Sequence, residues 1–166
     1  MRPASLEPAD VHVDSAAPLR DAPLDFDGEV VRITAVSMGN PHAVTFDEEA
    51  HALRAVLGPR IEQDRRFARG VNVSFARMAG RARIDLEVWE RGAGWTRACG
   101  TGACATAVAA VETARADRGV RLDVCLPGGA LVIRVGAPGE AVTMTGPARH
   151  VFDAVVDVRA LAAERT

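Results

Sequence analysis

One stretch gathers the residues best suited to chemistry: Trp89-Glu90-Arg91-Gly92-Ala93-Gly94-Trp95-Thr96-Arg97-Ala98-Cys99-Gly100-Thr101-Gly102. It runs from a strand-like segment through glycines into the start of a helix. Unpaired amides at a helix start, together with the positive end of the helix dipole, suit an anion such as a carboxylate, and glycines at 100 and 102 allow close approach. The same field stabilises a thiolate, which would let Cys99 act as a base near neutral pH. Glu90 and Arg91, side by side at a strand end, can hold an ammonium group and a carboxylate, the arginine through its forked donors. A plainer reading stands beside this one, because Gly-rich turns open many helices and most buried cysteines are only small hydrophobes. The residues alone leave both open for Cys99. Cys104, inside the helix, and Cys125, in an apolar strand, read as packing. A Cys-x4-Cys pair with no matching His or Cys pair is a poor zinc signature, and no metal is expected. Gly100-x-Gly102 also lacks the third glycine and the βαβ setting of a dinucleotide site.

Composition narrows the chemistry further. All 20 basic residues are arginine, and the chain has neither lysine nor tyrosine. A lysine Schiff base to pyridoxal phosphate and a Walker loop are therefore both excluded. Proton transfer at carbon falls to His, Asp, Glu or Cys. Three cysteines, an odd number, read as free thiols. A net charge of -2 gives no basic surface for nucleic acid. No apolar run approaches the ~20 residues of a membrane span, and Met1 to Asp10 has no apolar core of a secretion signal. The expected location is cytoplasmic, with no membrane partner.

The elements that must position these residues can be read from periodicity. Residues 1–28, with prolines at 3, 8, 18 and 23 and a brief alternation at Val11 to Val13, form a loosely structured lead-in with one short strand. A single domain is expected over 29–158, followed by a tail, 159–166. Strands are expected at Glu29 to Met38, His42 to Phe46, Val71 to Met78, Ala82 to Glu90, Arg121 to Leu126, Ala130 to Val135, Glu140 to Met144 and His150 to Val158. Glu48 to Leu57 predicts a short helix stopped by Gly58-Pro59. Thr101 to Arg118, ending at Gly119, predicts the one long helix. From Ala103 to Val111 every residue except Thr106 is small or apolar on all sides, which implies burial on most faces. The fold class is α+β: a mostly antiparallel sheet wrapped around one long buried central helix.

Ser37-Met38-Gly39-Asn40-Pro41-His42, Gly70-Val71-Asn72-Val73, Trp89 to Gly94, Ala98 to Ala105, Leu126-Pro127-Gly128-Gly129 and Thr145-Gly146-Pro147-Ala148 resemble, in order and at similar spacing, the C-terminal half of diaminopimelate epimerases. The resemblance implies that Cys99 is one of two catalytic cysteines. It also implies that Gly100 and Thr101 donate amides to the substrate α-carboxylate, and that Asn40, Asn72 and Arg91 grip the distal carboxylate. Glu90 falls near the reacting amine and carbon, and His42 beside the catalytic centre, the alternative for His42 being a structural turn histidine. The implied reaction links LL- and meso-2,6-diaminopimelate by a thiolate that removes the α-proton from one face while a thiol delivers one to the other, with no cofactor. Such a step belongs to lysine and cell-wall precursor biosynthesis.

Departures from the family pattern carry equal information. The family has two pseudo-symmetric halves, each with a cysteine-headed buried helix, and this chain matches only the second. It has no Cys-Gly-Asn-Gly segment, so it is not expected to invert a stereocentre alone; an N-terminal epimerase half or a homodimer is the implied partner. Ala43 stands where many relatives carry cysteine, Trp95 where glutamate is frequent, and Phe67-Ala68-Arg69 replaces the usual Phe-Pro. Pro147 to Val158 resembles a closing strand that returns to the first half. Two other readings stay open: a racemase of another amino acid on the same scaffold, and an inactive carboxylate-binding half-domain.

Overall fold

The computed structural model describes residues 1–158, and the expected tail, 159–166, lies outside them. Nine strands form one sheet: β1 Ala22–Phe26, β2 Glu29–Ser37, β3 Pro41–Thr45, β4 Asn72–Met78, β5 Arg83–Glu90, β6 Gly94–Thr96, β7 Arg121–Leu126, β8 Gly129–Arg134 and β9 Thr143–Thr145. Their order is β1-β2-β3-β4-β5-β7-β8-β9, with β6 paired to the end of β5. Six of the eight pairings are antiparallel; β3–β4 and β5–β7 are parallel.

Those two parallel pairs explain where the helices go. Parallel neighbours need a crossover, and crossovers are right-handed. Both step the same way across the sheet, but β4 and β5 run in opposite directions, so the two sets of helices land on opposite faces. Between β3 and β4 lie α2 Glu48–Ala52 and α3 Arg54–Glu62; between β5 and β7 lies α4 Gly100–Glu112, and a one-turn α1 Pro8–Val11 precedes the sheet. Strand alternation divides the core accordingly. Val36, Val44, Ala76, Leu86, Val88, Leu122, Val124 and Ile133 pack with α4. Ile33, Ala35, Ala43, Val73 and Phe75 pack with Leu57 and Ile61 of α3 and with Val11, Val13 and Phe26. Gly102 to Ala110 are all buried, and α4 lies against β2, β3, β4, β5, β7 and β8. No helix among the described residues is long and apolar enough to cross a membrane.

The structure corrects several expectations. Helix α4 ends at Glu112, not Arg118. Ala114 takes a left-handed conformation (φ 56°), its N–H donates to Val111 O, and Arg115 N–H donates to Ala110 O, the double closure that usually requires glycine. Gly58-Pro59 does not stop a helix either: the break falls at Leu53, and Pro59 lies inside α3. Gly58 instead admits Trp89, whose ring would be 3.0 Å from a Cβ there. The lead-in strand is β1, while Val11 closes α1 and Val13 makes one bridge to Phe67. The strand expected at Glu140 to Met144 is β9, three residues further along. His150 to Val158 forms no strand; Val151 and Phe152 are 83% and 74% exposed, and extended backbone without a neighbouring strand is not stable by itself.

Candidate active site

Cys99 is the N-cap of α4, extended (φ −143°), and its Sγ accepts the Gly102 N–H at 3.3 Å. Glycine suits this close approach, since a Cβ at Gly102 would sit 3.1 Å from that sulfur and would have to displace it. Gly100 is less confined: a Cβ there would be 3.3 Å from Met144 Sδ on β9, the end of a flexible side chain. Below the preceding residues, Gly128 N–H donates to Arg97 O at 2.6 Å, so the β7–β8 turn props the approach to Cys99. The thiol is 8% exposed.

A chain of hydrogen bonds leads from the sulfur into the sheet. Thr101 Oγ1 lies 3.6 Å from Cys99 Sγ and accepts from Asn40 Nδ2 at 3.3 Å. With its amide nitrogen turned to Thr101, Asn40 presents Oδ1 to His42 Nε2 at 3.2 Å, so Nε2 carries the imidazole proton. The Thr101 hydroxyl is then free to donate to the sulfur. His42 is fully enclosed, and its Nδ1 has no hydrogen-bond partner. Burial, and secondarily the charge of Arg91, push its pKa down to about 3, so the ring is neutral. The structure thus sets His42 beneath the site, three hydrogen bonds from Cys99.

For Cys99 itself burial pushes the thiol above its ordinary value. Bonds from Thr101 and Gly102 pull the other way, and the Glu90 carboxylate, within hydrogen-bonding reach, pushes it up again. In balance the Cys99 pKa is raised above the ordinary thiol value, opposite to the direction that the helix head alone would give.

The second group surrounds the β5–β6 turn. Asn72, 5% exposed, donates from Nδ2 to Pro41 O at 2.9 Å and accepts Arg91 N–H on Oδ1 at 3.0 Å. It ties the Asn40 turn to the Arg91 turn, with both ends of its amide engaged by backbone. Arg91 runs across Gly70 and donates from Nη1 to Arg69 O at 2.8 Å. Sequence reasoning missed Glu62, at the end of α3, which accepts Trp89 Nε1–H at 2.6 Å and Gly92 N–H at 2.8 Å. No local signal marked it, because the expected helix stopped at Gly58-Pro59 and left Glu62 beyond its end.

The structure therefore brings Cys99, Gly100, Thr101, Asn40 and Glu90 to one place, sets Asn72 and Arg91 beside them, and buries His42 underneath. Cys104 is fully buried and pushed up to about 11 by burial, as packing requires. Cys125 departs from its packing assignment: it is half-buried on the outer side of β7, where it borders a groove with Arg83 and Asp85. Among the described residues no three His, Cys, Asp or Glu side chains are grouped to hold a metal ion.

The mixed sheet with a thiol at a glycine-flanked helix head has counterparts among solved structures. The same fold is seen in a hydroxyproline epimerase from Agrobacterium vitis, at a TM-score of 0.53 and 16% identity over 75% of this chain and 44% of that one. The family follows from sequence: the chain belongs to the diaminopimelate epimerase family, whose family model matches residues 34–151. It is 47% identical over 157 residues to a diaminopimelate epimerase of Pseudomonas syringae pv. tomato, covering 94% of this chain and 56% of that protein. To a diaminopimelate epimerase of Pseudomonas entomophila it is 48% identical with the same coverage. The chain spans about half the length of these curated relatives.

Proposed function

We propose that this chain supplies one catalytic half of a cofactor-independent, two-thiol epimerase that interconverts LL- and meso-2,6-diaminopimelate. The observation that carries the reading is Cys99 Sγ seated on the Gly102 amide at the head of α4, with Glu90 at the thiol and Arg91 on the adjoining turn. The substrate α-carboxylate would take the Gly100 and Thr101 amides, and the α-ammonium group would face Glu90. A thiolate on the partner half removes the α-proton, and the electron pair of that C–H bond spreads into the carboxylate held by the helix amides. The Cys99 S–H then gives its proton to the opposite face, leaving Cys99 as thiolate and the partner as thiol. The reverse reaction exchanges the two roles. A buried Cys99 thiol suits the proton-delivering role at the start of the cycle. His42 acts through Asn40 and Thr101 as a positioning residue. The distal carboxylate would meet Arg91, with Asn40 and Asn72 holding the turn that faces it.

The second thiol comes from an N-terminal epimerase half, with a second copy of this chain as the other arrangement. The exposed strip of Val151, Phe152, Val155, Val156 and Val158 supports a partner on that side. We read 29–158 as the epimerase-like C-terminal domain, its sheet curled around α4 as central helix, with 1–28 leading in. The test is α-hydrogen exchange from meso-diaminopimelate in heavy water, with and without a separately supplied N-terminal half. Exchange that depends on that half is expected; none under either condition, in folded protein, sinks the reading.

A further inference from the structure

Glu90 and Arg91 sit at the β5–β6 turn, which one backbone bond, Ala93 N–H to Glu90 O at 3.0 Å, and the pairing of Glu90 with Gly94 close locally. Gly92, next in line, is left-handed (φ 76°) and exposed, and its N–H, like that of Arg91, is met by a side chain instead of by backbone. Two side chains from elsewhere fix it. Asn72 accepts the Arg91 N–H, and Glu62, from α3, takes the Trp89 indole N–H on one oxygen and the Gly92 N–H on the other, at 2.6 and 2.8 Å. The Glu62 carboxylate thus spans the Glu90–Arg91 pair from both flanks. Its backbone carbonyl also borders the space over Gly70 through which the Arg91 chain passes.

We propose that Glu62 is a positioning residue that aims Arg91, and so sets the affinity for ligands bearing a second, distal carboxylate. The inference rests on the function proposed above. A carboxylate is suited to the task because both oxygens accept; glutamine would accept one N–H and turn its own amide against the other. The negative charge of Glu62 works against an anionic ligand nearby, so charge and position predict opposite outcomes when Glu62 is replaced. Salt separates them, because Coulombic effects between exposed groups are screened and bond geometry is not.

The experiment is calorimetric titration of the full chain with the N-terminal half supplied, wild type, Glu62→Gln and Glu62→Ala, with meso-diaminopimelate at low and high salt, alongside the rate of Cys99 alkylation by iodoacetamide. Glu62→Ala should lose about tenfold in affinity, the size of one lost charge-assisted hydrogen bond. Glu62→Gln should lose less, the ratios should survive high salt, and Cys99 alkylation should stay at the wild-type rate. Equal affinity in all three proteins overturns the inference, as does tighter binding by the variants or a parallel change in alkylation, which would mark general loosening. Wild-type protein that binds no diaminopimelate even with the N-terminal half supplied overturns the proposed function, and this inference with it; equal binding by wild type and variants overturns the inference alone.

Discussion

At the head of α4 the site is made of backbone and packed glycines: Sγ on the Gly102 amide, Gly100 under Met144, Gly128 against Arg97 O. The Arg91 turn is made of side chains reaching in from α3 and β4, Glu62 and Asn72, over an exposed left-handed glycine. The first arrangement allows almost no displacement. The second can be retuned one residue at a time. On the function proposed above, chemistry and ligand preference would be carried by separately adjustable parts of the domain.

The sharpest way to break this division is at the thiol. With an N-terminal half supplied, Cys99→Ala should lower α-hydrogen exchange by about 10³-fold or more, within the range of a lost general acid–base group. Diaminopimelate affinity should fall little, because the Arg91 turn does not depend on the sulfur. An equal loss of binding would show that head and turn are one unit. Next in size is Gly128→Ala, whose Cβ would lie 2.6 Å from Arg97 O. Overpacking against backbone that cannot yield should cost about 3 kcal/mol, read as a lower denaturant midpoint.

The buried imidazole beneath the head gives a pH test. His42 has a folded pKa near 3 against an ordinary value of 6.5, so folding requires the neutral ring. Its contribution is complete above pH 6.5 and is lost as pH falls toward 3, at up to about 1.4 kcal/mol per unit. Between pH 6.5 and 5 the wild type should lose about 2 kcal/mol more stability than His42→Gln, measured by urea unfolding. Groups common to both proteins cancel in the difference. Parallel profiles would show that His42 is not held neutral.

What sequence made legible follows the same division. Cys99-Gly100-Thr101-Gly102 is contiguous, so helix head, thiol and amides could be read together, and the alternation of β5 gave Ile84, Leu86 and Val88 as its buried face. The end of α4 was hidden because Ala114 adopts a conformation normally reserved for glycine. Gly58 looked like a stop because nothing local announces the Trp89 ring that it accommodates. The helix-head field on Cys99 was legible, whereas the burial that pushes its pKa up is a tertiary property that the local sequence does not show. Glu62 reaches the Arg91 turn only through the docking of α3 on the sheet, which no local pattern encodes.

The smallest expected effect falls on the adjustable side. Gly70 is left-handed (φ 65°), and a Cβ there would lie 3.1 Å from Arg91 Cδ. Gly70→Ala therefore adds about 1 kcal/mol of backbone strain and pushes the arginine side chain off its path to Arg69 O. The chain should stay folded, because Arg91 is a flexible side chain that can swing into solvent. Diaminopimelate affinity should drop by about tenfold, one charge-assisted hydrogen bond's worth, while iodoacetamide alkylates Cys99 at the wild-type rate. Should alkylation change as well, strain at Gly70 is reaching the helix head through Asn72, the one side chain that bonds both the Asn40 turn and Arg91. The separation of chemistry from preference would then fail at that residue.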